Sequence, residues 1–393
     1  MSNTFIAPKT FKAPIMYGPG DIRLTEFPFP SVPEGGLIVR SLGSGVCGSD
    51  KLVYRGGVRW DDVEYTEKGC PGHDDTAFPK KLGHEMVGEI VEISEEAKAR
   101  GDYDHKPLEV GDRVVVAPVT GCGECYYCRR MPWLNLCNSP ERTGDCGGFG
   151  EYVAIHRRTP IFKMPEDMPS ELGMIVEPMC VSYALDHAAG AGNALANEGF
   201  TFGSSVVIMG VGPIGLLHVV KARLLGASTI IVTDLSKERL EIAREFGADV
   251  LINSNELKTS RERVDRVFEV TGGIGADVVV HCAGIVDRLM GEGLSMLRKC
   301  GYFIDVSGTT HPEPRDDLNM AMVFAKSLRV AGSFEHSTPG FTQTIDMLNR
   351  TKDQFPWDKF FTHRFPMEKY QEAIDVSMGE EAMKVIVDPT MKP

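Results

Sequence analysis

Val206-Val207-Ile208-Met209-Gly210-Val211-Gly212-Pro213-Ile214-Gly215 is the stretch on which the fold turns. Four apolar residues read as a buried strand. The glycine run then opens a helix expected over 214–225, which Gly226 can end. A free-standing Gly-x-Gly-x-x-Gly says little, but between a strand and a helix it has a mechanism. The first glycine permits a tight turn and the second lets backbone approach a pyrophosphate. The third lets helix and strand pack closely, while the helix N-terminus faces the negative charge. Asp234 closes the next strand 19 positions after Gly215, near the ~20 expected of a carboxylate on the ribose hydroxyls. Gly210, Val211, Gly212, Pro213, Ile214, Gly215 and Asp234 are therefore the expected dinucleotide site, with Arg239 beside it. A carboxylate at 234 repels a 2′-phosphate and favours NAD over NADP, a preference that Lys237 and Arg239 oppose.

Downstream, strands expected at 229–232, 277–281, 302–306 and 328–330 alternate with helical segments. One of these is a helix capped by Ser236, with Leu240, Ala243 and Phe246 on one face. Strand–helix alternation implies a parallel sheet wrapped on both faces. Upstream, to about Cys180, the chain is rich in Gly and Pro and reads as short strands, among them 36–40, 88–93 and 112–117. That spacing suggests a β-rich, barrel-like domain, and the run 384–387 can rejoin its sheet. The expected class is α/β: a β-rich catalytic domain of residues 1–180 and 336–393, interrupted by a doubly wound domain of residues 181–335.

The chain has 393 residues, a net charge of −13 and 10 cysteines. The acidic balance argues against nucleic acid or an anionic membrane as partner. No apolar run approaches the roughly 20 residues needed to span a bilayer, and residues 1–15 lack a signal-peptide pattern. A cytoplasmic location is expected, where disulfides are rare.

Cys122, Cys125 and Cys128 recur at even spacing, and Cys137 follows nine positions later. Four thiolates close a tetrahedron around zinc with no open position, a structural site. A second set is dispersed: Cys47, Ser49 and Asp50 in one segment, His84 and Glu85 in another, and Glu177 further on. A catalytic zinc needs about three protein ligands and one exchangeable position. Cys47 and His84 fit, with Glu85 or Glu177 completing the shell and Asp50 available to orient the imidazole.

Together these segments resemble the zinc-containing medium-chain dehydrogenase/reductase family, closest to its polyol and threonine dehydrogenase-like branch. The stretches that carry the likeness are Gly45-Val46-Cys47-Gly48-Ser49-Asp50, Gly83-His84-Glu85, Val110-Gly111-Asp112-Arg113-Val114, Gly147-Gly148-Phe149-Gly150-Glu151-Tyr152, Glu177-Pro178 and Phe361-Thr362-His363-Arg364-Phe365, with the cysteine lobe and the glycine turn. The resemblance implies a GroES-like catalytic domain beside a Rossmann domain, two zinc ions per chain, and hydride transfer between a secondary alcohol or ketone and NAD. It implies a homo-oligomer, dimer or tetramer. It matches Cys47 and His84 to catalytic zinc ligands, Glu85 to a carboxylate that ligates or swings off the metal, and Glu177 to one that contacts the metal or its water. Ser49 matches the hydroxyl that accepts the substrate proton, and Lys384 a basic residue near the cofactor pyrophosphate. Alternatives are a threonine- or aldehyde-type enzyme of the same family and a catalytically silent zinc and nucleotide binder.

The chain also departs from the family pattern. The Cys128–Cys137 gap is one residue longer, which keeps Cys146 as the other fourth ligand, and Leu52 stands where a relay histidine often follows. Extra residues fall between Asp50 and His84, including Arg55, Arg59, Trp60, Asp61, Asp62, Cys70, His73, Asp74 and Asp75. A second extension, 95–106, reads as a solvated charged face.

Overall fold

The apolar run 206–209 lies in the strand Ser205–Met209, fully buried at the centre of a six-stranded parallel sheet. The order is Val250–Asn253, Thr229–Asp234, Ser205–Met209, Ala276–His281, Leu297–Asp305, Arg329–Gly332. Strand order reverses at Ser205–Met209, so ligand-binding loops belong at its carboxyl end. Val250–Asn253 has no counterpart in the sequence reading; its parallel pairing with Thr229–Asp234 makes it a strand. The helix after the glycine turn spans Pro213–Leu224, with Pro213 at its first turn where the missing N–H costs nothing. Ser236 caps Lys237–Glu245 as expected, its hydroxyl accepting from Arg239 N–H.

The computed structural model describes residues 5–56, 78–130, 136–137, 141–142, 147–190, 199–284, 289–307, 319–333 and 338–393. Two units emerge: Met1–Cys180, Glu335–Gln354 and Phe361–Pro393 form one, and Val181–Phe334 with Phe355–Phe360 the other. Phe355–Phe360 thus packs with the nucleotide unit, although the sequence reading assigned everything after 336 to the catalytic domain. Aromatic burial is the reason: Phe246 stacks on Phe355 at 6.1 Å and meets Trp357 edge-on at 5.4 Å.

The first unit carries a seven-stranded sheet ordered Ile161–Lys163, Arg113–Val116, Glu85–Ile93, Leu37–Gly45, Lys384–Asp388, Phe361–Pro366, with Tyr152–Ile155 also paired to Leu37–Gly45. The terminal strand rejoins the sheet, antiparallel to Leu37–Gly45 and parallel to Phe361–Pro366. Leu37, Val39, Ile90, Val114 and Val153 fill one face of this sheet. The 95–106 extension is only partly the solvated face expected. Helix Glu95–Arg100 buries Ala97, and Asp102, 4% exposed, accepts from the N–H groups of Asp104, Lys106 and Lys163. Residues 57–77, including Arg59, Trp60, Asp61, Asp62, Cys70, His73, Asp74 and Asp75, lie outside the described residues, as does Cys146. Among the described residues no helix is long and apolar enough to cross a membrane.

Candidate active site

Cys47 ends the turn after strand Leu37–Gly45 and caps helix Gly48–Tyr54; its N–H donates to Asp50 Oδ2 at 2.9 Å. His84 precedes strand Glu85–Ile93, which pairs with Leu37–Gly45 so that Gly45 faces Glu85. This register brings two distant segments together. One donor atom each from Cys47, His84 and Glu85 lies within 4.8 Å of the other two. Glu177, 5% exposed on helix Val176–Cys180, stands outside that trio, although its charge acts on His84, Asp50 and Glu85. Asp50 Oδ1 is 3.9 Å from His84 Nδ1, an ion-pair distance too long for the hydrogen bond anticipated. Ser49 lies exposed in the first turn of the helix.

The donor chemistry asks for a dication. Burial raises the Asp50 carboxyl above its ordinary value despite His84, and burial raises Glu85 despite Lys384, with Glu177 adding to both. Burial alone would lower His84; the Cys47 thiolate and the Asp50 and Glu177 carboxylates outweigh it and hold the imidazole well above its usual range. The pocket holds more anionic donors than cations, and one thiolate, one imidazole and one carboxylate form a set suited to catalytic zinc.

The cysteine lobe fits zinc by distance. Cys122 Sγ–Cys128 Sγ is 4.0 Å and Cys125 Sγ–Cys137 Sγ is 3.9 Å, close to the about 3.8 Å edge of a tetrahedron with 2.3 Å Zn–S bonds. Backbone N–H groups of Glu124 and Cys125 point at Cys122 Sγ and lower its thiol pKa. Burial, then the thiols of Cys137 and Cys125, push Cys128 up to about 12. Ionised together, as zinc ligands must be, four thiolates this close would need a cation among them.

In the second unit the glycine turn is shaped for a dinucleotide. Gly210 has φ 84°, and a Cβ there would sit 2.7 Å from Ala283 backbone atoms. A Cβ on Gly215 would lie 2.0 Å from the Gly210 carbonyl oxygen, whereas one on Gly212 would meet only Arg239 Nη1, at 4.0 Å. Space above Gly212 is thus open and faces a guanidinium, as a pyrophosphate requires. Asp234 accepts from Val211 N–H at 2.8 Å and Ser236 N–H at 2.9 Å; each oxygen keeps a second lone pair for a ribose hydroxyl.

Known proteins agree with this geometry. The alcohol dehydrogenase GroES-like domain profile matches residues 33–166, and the zinc-binding dehydrogenase profile matches residues 213–350. An erythritol/L-threitol dehydrogenase of Mycolicibacterium smegmatis is 30% identical over 397 residues, covering 99% of this chain and 100% of that protein. The chain belongs to the zinc-dependent medium-chain dehydrogenase/reductase family, polyol dehydrogenase branch. A sorbitol dehydrogenase of Bombyx mori is 28% identical across 95% of this chain and 97% of that one. An alcohol dehydrogenase structure from Thermotoga maritima superposes with a TM-score of 0.82 at 27% identity, covering 96% and 99% of the two chains. A 2R,3R-butanediol dehydrogenase from Bacillus subtilis gives 0.77 at 26%, covering 97% and 100%.

One placement in this dehydrogenase differs from the family expectation. Lys384 does not present a solvent-facing amine for a pyrophosphate: it is 2% exposed and its amine is paired with Glu85. A lysine inside Met383-Lys384-Val385-Ile386-Val387 must find a partner, since a buried charge is retained only when paired. That signal could have been read. Also missed was His281, fully buried at a strand end with Nδ1 3.2 Å from Asp305 Oδ1 on the neighbouring strand end. The sequence Val278-Val279-Val280-His281 carries the same warning.

Proposed function

We propose that this dehydrogenase moves a hydride between the carbinol carbon of a secondary alcohol and NAD, and that its substrate is a polyol, sugar or cyclic hydroxy compound. The observation that carries the reading is the convergence of Cys47, His84 and Glu85 donors within 4.8 Å from separate segments. The relatives named for sorbitol, erythritol/L-threitol and 2R,3R-butanediol favour adjacent hydroxyls.

Cys47, His84 and Glu85 would hold the catalytic zinc, and Cys122, Cys125, Cys128 and Cys137 a structural one. Bound there, the metal supplies Lewis acidity, which can lower the pKa of a hydroxyl ligand by as much as roughly nine units. Ser49, exposed beside Cys47, takes the hydroxyl proton and passes it to solvent. Asp50, held by Cys47 N–H, keeps a negative charge behind His84. Glu177 adds a carboxylate that can hold water or a substrate hydroxyl. Arg239 and the turn at Gly212 hold the pyrophosphate, while Asp234 takes the ribose and repels a 2′-phosphate, which supports NAD.

A homo-oligomer is part of the same reading. Its support is the strand Arg329–Gly332 at the end of the parallel sheet, with Met320, Phe324 and Val330 exposed at 61%, 86% and 40%. We also propose a cytoplasmic setting, in keeping with described cysteines that are not joined in disulfides.

The test is NADH formation, read by its near-ultraviolet absorbance, from NAD and a panel of polyols. Cys47→Ser and His84→Ala are each expected to abolish turnover and remove about one zinc per chain. Either variant at full activity would refute the assignment. NAD binding without turnover of any alcohol would leave a silent binder instead.

A further inference from the structure

Glu85 carries a buried cation of its own, which hydride transfer alone does not require. Lys384 Nζ lies 2.5 Å from Glu85 Oε2, 2.8 Å from Oε1 and 3.3 Å from the Val46 carbonyl oxygen. The two side chains are 2% and 1% exposed. Gly45 makes room for them: a Cβ there would sit 2.0 Å from Glu85 Oε2 and 3.2 Å from Lys384 Cδ. The glycine that begins the Cys47 segment is thus required by the ion pair. Yet one oxygen of the same carboxylate also lies within 4.8 Å of the Cys47 and His84 donor atoms. Glu85 therefore stands between two cationic positions and can serve either.

We propose that Lys384 is a positioning residue that makes Glu85 a displaceable metal ligand. A carboxylate whose charge is already shared with an ammonium donates less to a metal. When an alcohol oxygen needs the position, Glu85 can fall back on Lys384 without becoming a bare buried charge. Without the ammonium, Glu85 loses the counter-charge that competes with the metal for it. The carboxylate then stays on the metal and fills the site that substrate must enter. This rests on the assignment of Cys47, His84 and Glu85 as the metal set.

Cobalt(II)-substituted full-length protein tests it, because the visible spectrum of Co²⁺ reports its ligands; any contribution from the cysteine lobe is common to all variants. Lys384→Met should change the spectrum, tighten zinc binding by about tenfold or more, and lower kcat more than it alters KM. Lys384→Arg, which keeps the charge, should retain the wild-type spectrum. Adding Glu85→Gln to Lys384→Met should return the spectrum toward wild type. If Lys384→Met does not fold, Lys384→Gln keeps a hydrogen bond to Glu85 without the charge and reads the same quantities. A folded Lys384→Met or Lys384→Gln protein with wild-type spectrum and zinc affinity overturns the proposal while leaving the metal site intact. A spectrum unaltered by Cys47→Ser overturns the metal site itself, and the proposal with it.

Discussion

Gly210 shows how one residue can couple fold and cofactor. Its φ of 84° and the Ala283 backbone, 2.7 Å from where a Cβ would lie, leave no route for a side chain. A left-handed conformation costs a non-glycine residue about 1–2 kcal/mol, and the backbone clash adds to it. Gly210→Ala is therefore expected to destabilise the protein by on the order of 2 kcal/mol in chemical denaturation and to weaken NAD binding in titration. Wild-type values for both would show that the turn tolerates a side chain. The three glycines were legible in sequence because each answers a backbone requirement that no other residue meets. Lys384 was misplaced because a side chain's partner depends on the register of three strands, and register is not written in local pattern.

At the scale of elements, the helix Pro213–Leu224 carries His218, a histidine whose pKa burial lowers strongly. His218 is fully buried, its Nδ1 2.8 Å from the Ile214 carbonyl oxygen, and burial first of all lowers it from 6.5 to about 4. The folded state thus holds the neutral ring while the unfolded chain still binds a proton between those values. The stabilisation is complete above about pH 6.5 and is lost as pH falls toward 4, amounting to roughly 3 kcal/mol over that window. His218→Leu should flatten the stability profile there, measured by denaturant unfolding from pH 7 to pH 4. An unchanged slope would remove His218 as the source. The long apolar strands of the parallel sheet were readable from composition. Val250–Asn253 and Phe355–Phe360 were not: the first is a strand through its pairing with Thr229–Asp234, and the second is claimed by aromatic contact with Phe246.

For the whole molecule, a net charge of −13 keeps copies apart in general, so the proposed homo-oligomer requires a specific surface. The strand Arg329–Gly332 ends the parallel sheet among the described residues, beside exposed Phe324 and Val330. Light scattering should find a dimer or tetramer, and Phe324→Glu with Val330→Lys should shift it to the monomer. A wild-type protein already monomeric at micromolar concentration would end the oligomer reading. The first unit is assembled from three stretches of chain, and Cys47, His84 and Glu85 meet where the end of strand Leu37–Gly45 lies beside the start of strand Glu85–Ile93. That arrangement was expected from the likeness of scattered motifs, since no local rule joins residue 47 to residue 84.

By itself the sequence determined the chemistry available: a dinucleotide turn with its acid, four clustered thiols, and a dispersed thiolate, imidazole and carboxylates. The first two are recognisable because short-range spacing and residue type alone satisfy their physical demand; the dispersed set is recognisable only through the family likeness. Tertiary structure decided which carboxylate lies beside Cys47 and His84: an oxygen of Glu85 comes within 4.8 Å of both donor atoms, and Glu177 is outside that group. It also gave Lys384 to Glu85 instead of to solvent. Both outcomes follow from strand register and burial, which bring charges together across hundreds of residues and leave no water to separate them.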